Sequence, residues 1–518
     1  MKIEKILKED KRHKQLTYEY ILPDYEGTLK RVMMTDARVM RQERSLLGGE
    51  LLLCGEVAFT MLYQTAEDTL QSLHFEVPYD FSFAVSGTAD THLDRVFLST
   101  YSILPSGPRR ILAKAEVVAT VTDMEMYEVP VVESDEGRMT LCENHTYHTH
   151  LFSKQEAREY AEEIYSCEGV EPKVLYRDVN LALTECRPMK DGAVVSGVCK
   201  IRALLSEQDK VMPEISAEIP FEEFIPLGET LPEKTFPECD LSLVSFSLDM
   251  QNEEGVHRLI ANPTISFFVR ATKENAEDFV VDAYATECEI HSVYETLPLV
   301  REYAPIHHKQ KLECRLPKTE ADPAPMKAIL FARSDGIVVE CTPDREMVYL
   351  LLKLSHSILG VDTLPTDATE EGEDMRGDLP VTYVRQKAES THALNVPVHS
   401  GAGGCACRMT SFTVSSPEIF EEEDAFLLCL EVSFTLALYD ETKVSVIVST
   451  ENTSQNYEKE KDTVYITFPD AGDTLWQIAK ENHAHIPTLL SLNPELTVPP
   501  SSYNSPTSLS SVHRIILP

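Results

Sequence analysis

Two-residue alternation of apolar and polar side chains is the feature that most constrains the fold of this chain. In residues 56–63, one face carries Val57, Phe59, Met61 and Tyr63. Residues 110–121 alternate in the same way. A period of two built from β-branched and aromatic residues predicts strands with one buried face. Because such stretches recur along the chain and helical stripes are rare, we predict a mainly β protein.

One stretch of the body has the period of a helix instead. Ser153 and Glu156 have the spacing of a capping box, in which each side chain bonds the other residue's backbone N–H. The apolar residues that follow at helical spacing are Ala157, Tyr160, Ala161 and Ile164. We therefore predict a helix near residues 154–166, within a connection between β domains.

The same order of elements occurs at least twice. A strand pair is followed by an acidic-apolar-Pro-aromatic element and then by a strand that begins with a basic residue. The opening strands are 49–57 and 191–198, the Pro-aromatic elements are 76–81 and 218–224, and the last strands begin near Arg110 and His257. This order predicts an internal repeat, although any β-rich chain shows some alternation by chance.

A third copy of the pattern is weaker. Its strands are residues 336–340, 347–354 and 425–434, and Leu379-Pro380-Val381 stands in the place of the Pro-aromatic element. The predicted boundaries are an N-terminal segment at 1–30, a β domain at 31–128, a linker at 129–172, a β domain at 173–292, a linker at 293–310, a β domain at 311–448 with an insertion near 360–410, a linker at 449–462 and a C-terminal module at 463–518.

The C-terminal module has a different composition. Residues 464–468 predict a strand, and Asp473 or Thr474 can cap a helix, with Gln477 completing a capping box for Thr474. Leu475, Ile478 and Ala479 form the apolar stripe of that helix. Residues 489–492 predict a second helix, ended by Asn493-Pro494, and residues 514–518 a second strand. The predicted order is strand, helix, helix, strand.

This module resembles the LysM domain, a βααβ unit that usually binds glycans containing N-acetylglucosamine. The residues that carry the resemblance are Gly472-Asp473-Thr474-Leu475-Trp476, Ile478-Ala479-Lys480 and Leu489-Leu490-Ser491-Leu492-Asn493-Pro494. The ligand groove of the family lies between the loop before helix one and the loop before strand two. Both loops depart from the family pattern here, because a residue is added before Gly472 and a Ser/Pro-rich loop occupies 499–511.

Three β blocks followed by such a module resemble the SipL-type spore-coat morphogenetic proteins, in which tandem SPOCS domains precede LysM. The residues that match the SPOCS element are Val77-Pro78-Tyr79 and Ile219-Pro220-Phe221. The resemblance implies a scaffold made in the mother cell, located at the forespore surface, that binds a coat-base ATPase of the SpoIVA type. It also implies that the LysM-like module makes that protein contact.

The net charge and the N-terminal residues predict an acidic protein that stays in the cytoplasm. The 518 residues include 47 Lys and Arg against 85 Asp and Glu, a net charge of −38. Such a chain is repelled by phosphate backbones and anionic lipids, so we predict neither nucleic-acid binding nor direct membrane insertion. The first ten residues lack the apolar core of a signal peptide. We expect the scattered cysteines to be reduced thiols rather than a disulfide framework.

The motifs of common enzymes are missing from the sequence. We find no phosphate-binding loop, no Gly-x-Ser-x-Gly elbow and no His-Glu-x-x-His pair. We therefore predict a protein without catalytic activity, metal or cofactor.

Two short clusters leave an alternative open. His145, His148 and His150 have the residue type of a transition-metal site, but their place between β domains favours a solvated loop. Cys405 and Cys407 lack a second pair at zinc spacing. Trp476 serves either as a core residue or as a platform for a sugar ring, and the core role is the more usual one.

The predicted function is therefore partner binding by the C-terminal module. The candidate contact residues, taken from the family motif, are Gly472, Asp473, Thr474, Leu475, Trp476, Leu492, Asn493 and Pro494. We expect Leu475 and Leu492 to support the loop from below. The alternative is a cell-wall protein whose module binds peptidoglycan or another N-acetylglucosamine glycan.

Overall fold

The computed structural model describes most of the chain. The described residues are 2–518 except 87–91, 131, 133–136, 208–209, 229, 304, 345, 363–381, 399–405, 416, 458–464, 471, 506–508 and 510–513. Nearly all of the described elements are strands, and two short α-helices lie near the C-terminus. The mainly β class is therefore confirmed.

Within the described residues, twenty-two strands precede the C-terminal module, and they fall into three groups. Repeat 1 contains β1 (Lys2–Ile21), β2 (Leu29–Leu47), β3 (Glu50–Thr65), β4 (Leu70–Ala84), β5 (His92–Gly107) and β6 (Arg110–Glu128). Repeat 2 contains β7 (Arg138–Glu159), β8 (Glu162–Glu168), β9 (Lys173–Met189), β10 (Gly192–Glu207), β11 (Lys210–Val211), β12 (Ile215–Pro226), β13 (Thr235–Glu253) and β14 (Val256–Ala285). Repeat 3 contains β15 (Cys288–Glu302), β16 (Ile306–Pro317), a 3₁₀ turn (Lys318–Glu320), β17 (Ala328–Asp344), β18 (Met347–Val361), β19 (Tyr383–Pro397), β20 (Ala406–Val414), β21 (Glu418–Glu421) and β22 (Ala425–Asn456).

Each repeat forms two antiparallel sheets with the same topology. The middle sheet joins consecutive strands in the orders β2-β3-β4, β9-β10-β12 and β17-β18-β19. In the terminal sheet the last strand of the repeat lies between an early and a late strand of the same repeat, in the orders β1-β6-β5, β7-β14-β13 and β16-β22-β20. β8 pairs with β14 on the same edge as β7, and β15 pairs with β22 on the same edge as β16. Within the described residues the same pattern of strand pairing therefore occurs three times.

The two sheets of a repeat pack face to face around one apolar core. In repeat 1 that core contains the predicted stripe of β3, together with residues of β4, β5 and β6. Phe59 is almost fully buried there, which is worth about 2–3 kcal/mol relative to an exposed side chain. Repeats 2 and 3 have equivalent cores between their middle and terminal sheets. Each repeat is thus a sandwich.

The Pro-aromatic element has a structural explanation in the first two repeats. Pro78 and Pro220 lie on β4 and β12, which are edge strands where a missing N–H is tolerated. The aromatic residue that follows is paired with a glycine of the neighbouring strand, Tyr79 with Gly55 and Phe221 with Gly197. A Cβ atom on Gly197 would lie 2.4 Å from the Phe221 ring. The ring therefore covers a backbone that has no side chain of its own.

The third repeat lacks this pair of residues. The position that corresponds to Gly55 and Gly197 in the hairpin register is Leu352, and it faces His392. The predicted counterpart, Leu379-Pro380-Val381, lies outside the described residues.

The predicted helix near 154–166 is wrong. Residues 138–159 form β7 and residues 162–168 form β8, and both pair with β14. Ser153 and Glu156 face Arg270 and Phe267 in that register instead of capping a helix. β14 forms antiparallel ladder hydrogen bonds with both strands, and this tertiary pairing outweighs the local helical signal.

The predicted linkers also contain paired strands. Residues 129–172 include β7 and β8, 293–310 include parts of β15 and β16, and 449–462 include the end of β22. The N-terminal segment 1–30 contains β1, which belongs to the terminal sheet of repeat 1. The first strand of each repeat was mistaken for a connection because its partner lies far away in sequence.

The three repeats meet at a buried cluster of charges. Asp36, Asp178 and Arg333 occupy the same position relative to the hairpin turns that end β2, β9 and β17. Arg333 contacts both carboxylates, and Arg38 also bridges Asp36 and Asp178. Burial alone raises the pKa of Asp178, but three neighbouring guanidinium groups, those of Arg38, Arg333 and Arg202, hold it below the ordinary value.

An apolar cluster that is also built from equivalent positions of the three repeats lies beside these charges. The equivalent residues Leu62, Leu204 and Leu359 are fully buried and contact the equivalent residues Met34, Tyr176 and Phe331. The cores and the charge cluster together join the three sandwiches into one body.

Candidate functional site

The C-terminal module contains two short helices between two short strands. It consists of β23 (Tyr465–Thr467), α1 (Leu475–Glu481), α2 (Ile486–Leu492), a 3₁₀ turn (Pro500–Ser502) and β24 (Ile515–Leu517). β23 and β24 form a two-stranded antiparallel sheet. Thr474 caps α1: its Oγ1 accepts a hydrogen bond from the backbone N–H of Gln477, whose side chain accepts one from the backbone N–H of Thr474. Of the two proposed caps, Thr474 is the one used.

Asp473 and Gly472 shape the loop before α1. The Asp473 carboxylate accepts a hydrogen bond of 2.7 Å from the backbone N–H of Asp470. Gly472 has a φ of +111° and is exposed, a conformation that glycine adopts without the strain a side chain would cause. These two residues hold the turn that leads into the helix.

Asn493 joins the end of α2 to β24. Its Nδ2 donates to the carbonyl groups of Leu489 and Ile516, and its Oδ1 accepts from the backbone N–H of Ile516, each at 2.8 Å. The residue is fully buried. Asn493 is therefore a structural residue of the module rather than a contact surface.

Trp476 attaches the module to repeat 2. Its indole Nε1 donates a hydrogen bond of 2.8 Å to Asp282 of β14, and the Lys480 ammonium binds the same carboxylate at 2.7 and 2.8 Å. The Tyr284 ring packs edge-on against Trp476 with centroids 5.0 Å apart, and its hydroxyl donates to the carbonyl of Ala484 at 2.6 Å. We call this set the Asp282 clip.

A β-bulge directs Asp282 towards the module. The register of β14 against β7 shifts between Val280 and Asp282, and bulges of this kind turn side chains away from the regular alternation. Leu141 of β7 and Tyr284 complete an apolar cluster with Leu475, Ala479 and Leu489 of the module. The module and the end of repeat 2 thus share one small core.

The predicted site residues divide into a buried group, an exposed group and the partly buried Asp473. Thr474, Leu475, Trp476 and Asn493 are buried, and Trp476 is only 2% exposed. Gly472 and Pro494 are exposed, and Leu492 is 40% exposed. The expectation that Leu492 supports the loop from below is therefore wrong, whereas Leu475 does lie in the core. Because its ring is enclosed by Tyr284 and Asp282, Trp476 has no free face for a sugar in this arrangement.

Other exposed apolar side chains of the module lie on and beside β23. Tyr465 and Ile466 are each 49% exposed, and Phe468, just after the strand, is 71% exposed. Sequence analysis singled out this segment only as a strand. The apolar residues at 464–466 and 468 are the sequence signal for this exposed apolar surface, because a three-residue strand cannot bury the side chains on both of its faces.

The expectation that the three histidines lie in a solvated loop is wrong. All three belong to β7, and His148 is buried. The backbone N–H of Glu302 donates to His148 Nδ1 at 3.0 Å, and burial lowers the pKa of His150 to about 4. In the part of the chain that the structure describes, no group of three His, Cys, Asp or Glu side chains is placed to hold a metal ion.

The Cys-x-Cys pair is only partly within the described residues. Cys405 lies outside them. Cys407 is half-buried on β20, and its sulfur atom lies 2.8 Å from that of Cys341 on β17. Sequence analysis did not connect these two cysteines because 66 residues separate them.

Asp282 and Tyr284 were missed entirely. They lie at the end of a long apolar strand, where an aspartate gives no sequence signal of its own.

Neither helix within the described residues has the length and apolar content needed to cross a bilayer. No family model, curated protein or solved structure matches this chain.

Proposed function

We propose that this chain is a non-enzymatic scaffold of spore-coat assembly. It binds a coat-base morphogenetic ATPase of the SpoIVA type through its C-terminal LysM-like module, in the mother-cell cytoplasm at the forespore surface. The observation that carries the proposal is the strand-helix-helix-strand unit of residues 465–517, with its capped first helix, attached to a body of three β sandwiches.

Burial of Trp476 favours a protein partner over a glycan. A sugar-binding module needs an open apolar platform for the ring, and here the indole is enclosed by the Asp282 clip. The exposed residues Ile466, Phe468 and Leu492 offer apolar side chains of the kind that form the centre of protein interfaces. In this proposal those three side chains contact the partner, and the buried motif residues hold their backbone in place.

The first test is a pull-down of the full chain with a SpoIVA-type ATPase as bait. Deletion of residues 463–518 should abolish binding. Because that deletion also uncovers Tyr284 and Leu141, a point variant is needed beside it. We expect Leu492→Asp to weaken binding at least about tenfold, since it places a charge in an apolar contact. The matched control is Val170→Asp, an exposed apolar residue of the body. Full binding by the truncated chain would reject the proposal.

Glycan binding is the second candidate, and the order of elements in the module favours it. Sedimentation with purified peptidoglycan separates the two functions. The scaffold proposal expects no co-pelleting above that of the 463–518 deletion. Strong co-pelleting that N-acetylglucosamine oligomers compete away would establish the cell-wall alternative instead.

A further inference from the structure

In repeats 1 and 3 the middle and terminal sheets are joined by side chains at one recurring position. Three residues occupy equivalent positions relative to the hairpin turns that follow β2, β9 and β17. They are Arg44, Cys186 and Cys341. In repeat 1, Arg44 forms an ion pair of 3.1 Å with Asp94 on β5. In repeats 2 and 3 the position carries a thiol, which is redox-active where the ion pair of repeat 1 is not.

The thiol of repeat 3 has a second thiol directly against it. The sulfur atoms of Cys341 and Cys407 lie 2.8 Å apart, inside the van der Waals contact of two sulfur atoms. The sulfur atoms of a disulfide are about 2.05 Å apart, so a further approach of about 0.8 Å closes the bond. Both side chains are half-buried, which leaves them reachable by a small reagent.

We propose that Cys341 and Cys407 are a site of reversible disulfide formation that cross-links the two sheets of repeat 3. The oxidant is a low-molecular-weight disulfide of the glutathione class. β17 belongs to the middle sheet and β20 to the terminal sheet, and the two cysteines pack at the edge of the core between them. The bond would join the two sheets directly, at the position where Arg44 and Asp94 join those of repeat 1.

The exchange proceeds in two steps. The Cys407 thiolate attacks one sulfur atom of the small disulfide, forming a mixed disulfide and releasing one small thiolate. The Cys341 thiolate then attacks the Cys407 sulfur and displaces the second small thiolate. Two protein thiols lose their protons, one protein disulfide forms, and the small disulfide is reduced to two thiols. Cys407 is the better first nucleophile, because a hydrogen bond from Cys341 lowers the pKa of Cys407 while burial opposes it.

Repeat 2 also has one cysteine on its middle sheet and one on its terminal sheet. Cys186 and Cys239 lie on β9 and β13. Burial, and then the charge of Cys186, raise the pKa of the Cys239 thiol well above its usual range. Cys239 is buried, unlike Cys407. We therefore expect the small disulfide to oxidise Cys341 and Cys407 before it oxidises Cys186 and Cys239.

The test uses the full native chain, purified under a reductant and transferred to a buffer of oxidised glutathione. We expect the two peptides that contain Cys341 and Cys407 to be joined at a mass about 2 Da below their sum, the two hydrogen atoms lost on forming one bond. Digestion with trypsin without reduction should join peptide 334–345, which contains Cys341, to peptide 388–408. That second peptide contains both Cys405 and Cys407, so single variants must separate the two.

Three variants distinguish the proposed bond from others. Cys405→Ser should keep the cross-link, whereas Cys341→Ser and Cys407→Ser should lose it. The oxidised wild type and the oxidised Cys405→Ser chain should melt roughly 3–8 °C higher than their reduced forms, and the other two variants should not. A cross-link that survives Cys407→Ser, or mixed disulfides with glutathione in place of a cross-link, would overturn the proposal.

Discussion

The three-repeat body and the C-terminal module are stabilised in opposite ways. In the body, β14 alone has 30 residues and pairs with three other strands, and the repeats share a buried charge cluster. In the module each strand has three residues and each helix seven. The module owes its position largely to one carboxylate, one tyrosine and a small shared core. We infer that the module can leave the body without unfolding it, whereas the repeats cannot separate from one another.

The strongest test of this contrast is the loss of a charge from the centre of the body. Arg333→Met leaves the buried carboxylates of Asp36 and Asp178 without one of their cations. We expect the free energy of unfolding to fall by about 3–5 kcal/mol, measured by urea denaturation with circular dichroism. Arg315→Met, which removes an exposed ion pair with Glu422, is the control and should leave the free energy of unfolding almost unchanged. Equal losses in the two variants would show that the central cluster does not hold the repeats together.

Acid should also destabilise the body more than the module. His356 on β18 is fully buried, bonded to the hydroxyl groups of Ser334 and Ser390, and burial lowers its pKa to about 4. Because the folded pKa lies below the unfolded value of about 6.5, the neutral form stabilises the fold at high pH. This contribution is lost as the pH falls from about 6.5 to 4.

The variant His356→Gln should lose about 2–3 kcal/mol less stability than the wild type between pH 7 and pH 4. Denaturant unfolding at both pH values measures this difference. His291→Gln, at an exposed position on β15, should behave as the wild type does. A pH dependence unchanged by His356→Gln would assign the acid sensitivity to other groups.

The attachment of the module can be followed through its own tryptophan. Trp476 is the single tryptophan of the chain, and Asp282→Ala removes the acceptor for its indole N–H and the partner of Lys480. Charge-assisted hydrogen bonds of this kind are worth about 2 kcal/mol. We expect the Trp476 emission to shift to longer wavelength while far-ultraviolet circular dichroism stays unchanged. Asp278→Ala, on the exposed face of the same strand, should leave the emission as it is.

The smallest effect concerns the module alone. Thr474→Ala removes the side-chain cap of α1, which should cost the module about 1 kcal/mol. The thermal midpoint seen by Trp476 fluorescence should fall, and the midpoint of the body seen by circular dichroism should not move. If both midpoints fell together, the module and the body would be one cooperative unit, contrary to the comparison above.

Local signals in the sequence predicted local structure well. The stripe of β3 and the capping box at Thr474 are visible in consecutive residues, and both occur as expected. The burial of Trp476 also agrees with its expected core role. These features depend on neighbours within a few residues, so the sequence contains all that determines them.

Features that depend on distant partners were missed. Ser153 and Glu156 satisfy a capping rule, yet β14 pairs with that segment across more than a hundred residues. The three histidines were assigned to a loop for the same reason. Asp282 becomes a contact for Trp476 only because a bulge turns it towards a module that lies 194 residues away. No local pattern records such pairings.

The pairing of first with last strands also constrains how the chain is made. β1 spans Lys2 to Ile21, and its hydrogen-bonding partner β6 is not complete until Glu128. During translation the opening strand of each repeat must therefore remain unpaired until the ribosome has released nearly the whole repeat. Pairings between such distant segments form slowly, and unpaired strands invite association with other chains. Slow synthesis near the end of each repeat would lengthen that exposure.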